Sequence, residues 1–290
     1  MAKNRRYQLG LYEKAIPNDQ SIIEKLKLAK ESGFDYFELS IDESDEKLCR
    51  IDMPQSEREA LLDAMIHLDI RINSICLSGH RKYPLGHKDK EMQAKSLEIM
   101  LKAIKLASDL GVRVIQLAGY DVYYEQGDAK TKEIFIQNLK EAAQMASYYG
   151  VLLGFETMET SFMDTVEKSM EYVRLVDNPY LGVYPDIGNL KNASLLYHGD
   201  VNTDLLTGKG HIVAAHLKET IPGHYREIPF GTGHTEFKHN IELLKNMGVR
   251  LFVGEFWYTG SPTWKEDLKE ANTFLREKLD HVFYGQGDRM

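Results

Sequence analysis

A repeated unit along the chain constrains its fold more than any other feature of the sequence. An amphipathic helical pattern is followed by a turn that often contains glycine, and then by a short apolar run that ends in polar residues. The segment SIIEKLKLAKESGFDYFELS shows the unit, with Ser21 and Glu24 spaced as a capping box and Gly33 placed to end the helix. Later units carry Gly111, Gly150 and Gly248 at the corresponding turn.

Eight apolar runs fit this unit, as expected for parallel strands that are covered on both faces. They cover residues 8–11, 36–39, 70–77, 112–118, 151–155, 181–184, 212–217 and 251–256. A segment long enough for a helix follows each run. Eight strand-then-helix units predict an α/β fold, a single (β/α)8 TIM-barrel domain over residues 1–290. The alternative is a doubly wound open sheet, but no G-x-G-x-x-G motif opens a helix after the first run.

The composition excludes several classes of function. A net charge of -8 leaves no general basic surface for nucleic acid. No stretch approaches the roughly 18 apolar residues of a membrane-spanning helix, and the N-terminus lacks the apolar segment of a signal peptide. The two cysteines, Cys49 and Cys76, do not form the framework of a disulfide-rich secreted protein. We therefore expect a soluble, cytoplasmic protein that binds neither nucleic acid nor membranes.

Polar side chains stand at the ends of the last four predicted strands. They are Glu156 in LLGFE, Asp186 in VYPD, His216 in VAAH and Glu255 in FVGE. In a barrel the carboxyl ends of the strands meet at one face, where chemistry takes place. Any one of these residues could instead be a helix cap or part of a rim ion pair. Three carboxylates in a partly dry site are unfavourable without a cation, however, so the set predicts a divalent metal site.

The chemistry expected of this site is proton transfer next to a carbonyl group. The chain has no G-x-S-x-G, H-E-x-x-H or Walker motif and no evident cysteine nucleophile. A metal that polarises a ketone, flanked by two carboxylates, suits removal of a proton from the adjacent carbon. Return of the proton to the opposite face gives epimerisation, and its transfer to the neighbouring carbon gives aldose-ketose isomerisation. We predict Glu156 and Glu255 as the acid/base pair.

Basic and polar residues after the first and third predicted strands suggest a phosphate site at the same face. The candidates are Lys14, Ser78, Gly79, His80 and Arg81, and a short helix beginning near Ser78 would add backbone donors. The alternative is the PFGTGH segment, with Gly231 and Gly233. Asn189 could bind substrate, support a metal ligand or cap a helix. The Lys218 side chain points to the opposite face from His216 if the strand continues, and into the pocket if the strand has ended.

Several motifs together resemble one known family. LGLYEKA, CLSGHRKYPLG, VIQLAGYDVYY, YPDIGNL, GHIVAAHLKET, PFGTG and GEFW are similar to segments of the bacterial L-ribulose-5-phosphate 3-epimerases among the xylose-isomerase-like barrels. The resemblance implies zinc or manganese, or else magnesium or cobalt, on Glu156, Asp186, His216 and Glu255. It also implies that the two glutamates exchange protons, that a small sugar phosphate is the substrate, and that the protein is a homodimer.

Other functions remain open at this stage. The same metal site could serve an isomerase or epimerase of an unphosphorylated ketose or of a hexulose 6-phosphate. A barrel endonuclease for abasic DNA is disfavoured by the acidic net charge. In a non-catalytic protein the metal would only tie the four strands together.

Overall fold

Eight parallel strands form a barrel in a computed structural model of the chain, which describes residues 6–285. The strands are β1 (Gln8–Tyr12), β2 (Tyr36–Ile41), β3 (Arg71–Leu77), β4 (Val114–Ala118), β5 (Leu152–Glu156), β6 (Leu181–Tyr184), β7 (Ala215–Leu217) and β8 (Leu251–Gly254). Each strand pairs with its neighbour in sequence from β1 to β6, and β1 also pairs with β8. Two isolated bridges, Val183 to Ile212 and Asp186 to His216, connect β6 to the β7 side. The predicted (β/α)8 barrel is confirmed, because an open sheet would not pair its first strand with its last.

Helices surround the barrel and connect its strands. They are α1 (Ile22–Glu31), α2 (Asp45–Leu48), α3 (Gln55–Leu68), α4 (Lys90–Leu110), α5 (Ala129–Tyr149), α6 (Val166–Val176), α7 (Ile187–Leu196), α8 (Val201–Thr207), α9 (Phe237–Asn246) and α10 (Trp264–Tyr284). Within residues 6–285 we find no helix whose length and apolar character would allow it to cross a membrane.

The turns between helices and strands follow from particular residues. Ser21 caps α1, with its side chain accepting a hydrogen bond from the Glu24 N–H at 3.2 Å. Gly111 ends α4 at φ 69° and Gly150 ends α5 at φ 70°, in the left-handed region that glycine adopts without steric cost. In both places the chain reverses and enters the next strand within a few residues. At these two turns the glycine sets where the helix ends and the next strand begins, whereas Asp69 and Asp177 take the left-handed conformation at the ends of α3 and α6.

A network of buried charged side chains lies next to the carboxyl end of β1. Glu13 lies in a 3-10 helix directly after β1, and its side chain is fully buried. It pairs with Lys25 at 2.8 Å and with both terminal nitrogens of Arg50 at 2.6 and 2.9 Å. It also accepts a hydrogen bond from the Ser40 N–H at 2.8 Å. Burial raises the pKa of Glu13, but Arg50 and Lys25 outweigh it and bring the pKa to about 2.

Candidate active site

Four buried side chains converge at the carboxyl ends of the last four strands. Glu156 is the final residue of β5, and His216 lies within β7. Asp186 follows β6 and caps α7, while Glu255 comes directly after β8. Each residue offers one ligand atom, and these atoms all lie within 4.8 Å of one another. The structure therefore brings together the four predicted ligands in a cluster that could hold a metal ion.

The His216 ring is held so that one nitrogen faces the other three residues. Its Nδ1 lies 3.2 Å from Glu156 Oε1, 3.1 Å from Glu255 Oε2 and 3.9 Å from Asp186 Oδ2. Its Nε2 lies 2.7 Å from Glu38 Oε1. Burial lowers the pKa of His216, but Glu38 and Glu255 raise it by more, so the net shift is upward. Because a carboxylate only accepts, Nε2 carries a proton toward Glu38 and Nδ1 is the nitrogen available to a metal.

Glu38 is a member of the site that the sequence analysis missed. It lies on β2 with no exposed surface, and it reaches His216 from the far side of the barrel interior. Its second oxygen accepts hydrogen bonds from Ser74 Oγ at 2.7 Å and from the Tyr184 hydroxyl at 2.9 Å. The signal in the sequence was a glutamate in the middle of the apolar run YFELS. Its hydrogen bond fixes the orientation of the histidine ring.

Two further residues orient the carboxylates, Gln116 through its side chain and Asn189 through its backbone N–H. Gln116 on β4 donates a hydrogen bond from its side-chain amide to Glu156 Oε2. The Asn189 N–H donates to Asp186 Oδ1 at 2.8 Å, and Asn189 Nδ2 donates to the Thr157 carbonyl at 2.7 Å. Asn189 was predicted among the substrate-binding residues, and the structure buries it beside Asp186, one of the predicted metal ligands. Its backbone N–H bonds Asp186, which caps α7, and its side chain bonds the Thr157 carbonyl. Substrate binding by Asn189 stays a prediction.

The residues present fit a divalent cation. Asp186 Oδ2 and Glu255 Oε2 are buried, and the charged groups of Lys218 and His216 lie 2.9 to 3.9 Å from them. Burial raises the pKa of Asp186. The nearby charge of Lys218 lowers it by less, so the net shift is upward. Burial acts in the same direction on Glu255, but Lys218 and His216 outweigh it and the pKa of Glu255 is lowered. A cation bound by three carboxylates and an imidazole would satisfy these oxygens with donor types that zinc and manganese accept.

Lys218 enters the same cluster, which answers the question of its direction. Strand β7 ends at Leu217, so the alternation of side chains no longer applies one residue later. The Lys218 ammonium lies 2.9 Å from Asp186 Oδ2 and 3.3 Å from Glu255 Oε2. It also lies 5.7 Å from the centre of the Trp257 ring. A buried cation therefore stands next to the predicted ligands on the side of the cavity.

A cavity opens to solvent above this cluster, with about 450 Å³ of empty space including its mouth. Glu156 and Glu255 line it, and so does Lys218. Asp186 and His216 have no exposed surface and lie beneath it. The two glutamates are thus the members of the cluster that a bound molecule would touch.

The mouth of the cavity is basic. Lys14, Ser78 and Arg81, which were predicted to bind phosphate, all line it. Lys14 pairs with Asp42 at 2.8 Å. Arg226, which comes from the loop after β7, also lines the cavity and was missed in the sequence. No strand ends directly before Arg226, so the strand-end pattern that located the four clustered residues could not locate it.

Two of the predicted phosphate ligands lie elsewhere. A 3-10 helix does begin at Gly79, as the phosphate hypothesis required, but Gly79 packs against Leu48 and does not line the cavity. The His80 side chain is buried and its Nε2 lies 3.2 Å from the Ser96 carbonyl oxygen on α4. Burial lowers the pKa of His80 to about 4. The tight turn directs neighbouring residues to opposite sides, so Arg81 faces the cavity while His80 faces the helix layer.

The alternative phosphate site in PFGTGH is already filled by a carboxylate of the protein. Glu219 is buried, and its side chain accepts hydrogen bonds from the Gly231 N–H at 2.9 Å and the Thr235 N–H at 3.0 Å. These backbone donors hold the loop in place. They are not free to bind an anion.

Replacing Glu38 with glutamine is expected to weaken metal binding about 10- to 100-fold, because the amide has no negative charge and only one acceptor oxygen to serve His216 on one side and Ser74 and Tyr184 on the other. The measurement is titration of the metal-free protein with zinc in the presence of a competing chelator. Glu43→Gln is the matched control, since Glu43 is bonded to the exposed Tyr124 hydroxyl outside the barrel interior. An unchanged affinity in Glu38→Gln would show that the hydrogen bond does not matter for the metal.

Known proteins are similar to this chain in sequence and in fold. A family model described as a xylose isomerase-like TIM barrel matches residues 26–278. The L-ribulose-5-phosphate 3-epimerase UlaE of Escherichia coli strain SE11 is 44% identical over 277 residues, which cover 95% of this chain and 96% of the relative. The protein of the same name from Shigella sonnei strain Ss046 has the same identity and coverage.

Solved structures show the same architecture at lower identity. An L-ribulose 3-epimerase superposes with a TM-score of 0.76 at 18% identity, covering 95% of both chains. A D-psicose 3-epimerase from Clostridium cellulolyticum H10, solved with D-tagatose, superposes with a TM-score of 0.80 at 15% identity. That match covers 94% of this chain and 99% of the other. At these identities the likeness establishes the fold alone.

Proposed function

Because this chain belongs to the L-ribulose-5-phosphate 3-epimerase family within the xylose isomerase-like TIM barrels, we propose that it epimerises C3 of a ketopentose 5-phosphate. The substrate pair is L-ribulose 5-phosphate and L-xylulose 5-phosphate. The proposal rests on the different positions of the four residues of the cluster relative to the cavity. Glu156 and Glu255 line the cavity from two different strands, while Asp186 and His216 lie beneath them.

Glu156, Asp186, His216 and Glu255 would hold a divalent metal, with zinc or manganese as the first candidates and magnesium or cobalt as alternatives. When bound, the metal supplies a positive charge that polarises the ketone and offsets the negative charge left by proton removal. The glutamates must each keep one oxygen for proton transfer, since an oxygen that donates to a metal is a poor base.

The two glutamates perform the proton transfers. One removes the proton from C3, which is acidified by the neighbouring ketone, and the other delivers a proton to the opposite face of the same carbon. The roles exchange in the reverse reaction. Asp186 takes no part in proton transfer, because it lies beneath the cavity and Asn189 restrains it. Lys218 lines the cavity close to Glu255 and would donate hydrogen bonds to a substrate hydroxyl or carbonyl oxygen.

The basic mouth supports a phosphorylated substrate. With the reacting carbons at the glutamates, the 5-phosphate extends toward Lys14, Ser78 and Arg81. Guanidinium groups bind phosphate oxygens in pairs, which gives both affinity and orientation. An unphosphorylated ketose or a hexulose 6-phosphate would use the same metal site and remains the alternative. A homodimer also remains a prediction from the family resemblance.

The test is conversion of candidate substrates by the metal-loaded protein, followed by NMR. We expect L-ribulose 5-phosphate to give L-xylulose 5-phosphate with a kcat/KM at least about 100-fold above that for unphosphorylated L-ribulose, because lost charged hydrogen bonds cost that much. D-fructose 6-phosphate serves as the hexulose phosphate. Equal rates with and without the phosphate would contradict the proposed substrate and favour the alternative.

A further inference from the structure

A buried lysine shares two of the predicted metal ligands. The Lys218 Nζ lies 2.9 Å from Asp186 Oδ2 and 3.3 Å from Glu255 Oε2, and its side chain is only 5% exposed. In the part of the chain that the structure describes, no other lysine or arginine nitrogen lies within 4.0 Å of a carboxylate oxygen of the cluster. Lys218 therefore supplies the cluster with a positive charge that belongs to the protein itself.

The two carboxylate oxygens that contact Lys218 also face the histidine. Asp186 Oδ2 lies 3.9 Å and Glu255 Oε2 lies 3.1 Å from His216 Nδ1, the nitrogen available to a metal. Among the described side chains, Glu156 also approaches this nitrogen, at 3.2 Å, but it forms no ion pair with Lys218. The oxygens of Asp186 and Glu255 are thus shared between the metal-binding nitrogen and the ammonium.

This sharing resembles the plan of a two-metal site. Such sites hold their cations about 3.5–4 Å apart, a spacing at which one carboxylate can contact both. Asp186 and Glu255 could contact two cations in the same way, but the Lys218 ammonium already stands in one of the two positions. A second metal ion has no access to these oxygens from that side while the ammonium is there.

The charges of the cluster are matched by one divalent ion. Glu156, Asp186 and Glu255 carry three negative charges, and the Lys218 ammonium offsets one of them. The two that remain equal the charge of a single divalent cation. A second ion would bring excess positive charge into a buried site, where like charges repel more strongly than in water.

We propose that Lys218 is a built-in second cation of the metal centre, which shares Asp186 and Glu255 with one divalent ion and excludes another. This inference rests on the metal site of the proposed function and not on its sugar substrate. An ammonium group has three N–H donors. The two carboxylates take two of them, so the third is left for a substrate oxygen in the cavity that Lys218 lines.

Manganese titration of the chelator-treated protein, followed by EPR spectroscopy, tests the number of ions. A close pair of Mn²⁺ ions gives a spin-coupled signal that a single ion does not give. The unmodified protein should bind one ion per chain and show no coupled signal in excess manganese. Lys218→Glu replaces the ammonium with a further carboxylate, and it should bind two ions with a coupled signal.

The affinity for the first ion gives a second readout. Lys218→Gln is expected to bind manganese about 10- to 100-fold more tightly, because the positive charge next to the ligands is gone. Competition with a chelator measures the difference. Lys191→Gln is the matched control, since it removes the same charge from a surface pair with Glu236 on α7. It should leave both the affinity and the number of bound ions unchanged.

Unchanged or weaker binding in Lys218→Gln overturns the inference, because the lysine would then only support the carboxylates. A single ion in Lys218→Glu overturns it as well. So does a coupled signal in the unmodified protein, a result that does not depend on the folding of any variant. The expected ion numbers and affinities uphold the inference even if L-ribulose 5-phosphate is not turned over, because the titration needs no substrate. Thermal unfolding of each variant confirms that it is folded.

Discussion

Glu156→Gln and Glu255→Gln are each expected to lower kcat about 100- to 10,000-fold, the usual contribution of a positioned general acid or base. Glutamine is close in size to glutamate and keeps a carbonyl oxygen for a metal, but it cannot accept or return a proton. Both side chains line the cavity, so both should be needed in each direction of the reaction. The measurement is the initial rate with L-ribulose 5-phosphate and, separately, with L-xylulose 5-phosphate.

The control for this prediction is Glu133→Gln, because Glu133 is exposed on α5 and pairs only with Lys130 on the same helix. It should retain full activity. The metal content of each variant is measured alongside the rate, so that a lost metal is not mistaken for a lost base. A variant that keeps its metal and retains activity within tenfold of the unmodified protein would contradict the assigned role of that glutamate.

Glu13→Gln is expected to reduce the free energy of unfolding by about 3–5 kcal/mol, the cost of removing one partner from a buried ion pair. The change leaves Lys25 and Arg50 close together without a carboxylate, and the Lys25 side chain is fully buried. Urea denaturation of the two proteins at neutral pH measures the difference. Glu24→Gln, at an exposed pair with Lys27 on α1, should cost no more than about 1 kcal/mol. A loss below that value in Glu13→Gln would show that the network contributes little.

The contribution of Glu13 also has a defined pH dependence. Its pKa is about 2 in the folded protein and about 4.3 in an unfolded chain, so folding favours the ionised form. The stabilisation is therefore complete above the unfolded pKa and is lost as the pH falls through the folded pKa. The stability difference between the unmodified protein and Glu13→Gln should shrink between about pH 4 and pH 2.

The barrel and the clustering of the four predicted metal ligands could be predicted because both follow from local patterns. Glycine turns such as Gly111 and Gly150 mark where each helix gives way to a strand, and parallel strands then place their carboxyl ends together. Glu156, Asp186 and Glu255 each follow an apolar run in the sequence. Once the barrel was recognised, their proximity needed no further information about packing.

The supporting residues could not be found in the same way, because their partners are distant in sequence. Glu38 and His216 are 178 positions apart and meet only inside the closed barrel. Gln116 lies in the middle of β4, and the residues around it in sequence do not indicate that its side chain bonds Glu156. His80 and Arg81 are adjacent basic residues in the sequence, and only the turn of the backbone separates a buried ring from a cavity-facing guanidinium. Arg226 lies in an irregular loop, and its contacts with Glu159 and Trp257 join segments that are distant in sequence.

Proton exchange with solvent at C3 tests the central claim most directly. The metal-loaded protein is incubated with L-ribulose 5-phosphate in D2O, and C3 is followed by NMR. Transfer through two carboxylates predicts deuterium at C3 of the L-xylulose 5-phosphate that forms, and predicts that this product is lost in both Glu156→Gln and Glu255→Gln. Exchange into L-ribulose 5-phosphate itself is lost in the variant that lacks the glutamate facing its C3 proton. No exchange at C3 with a bound metal, or epimerised product without deuterium, would contradict the account.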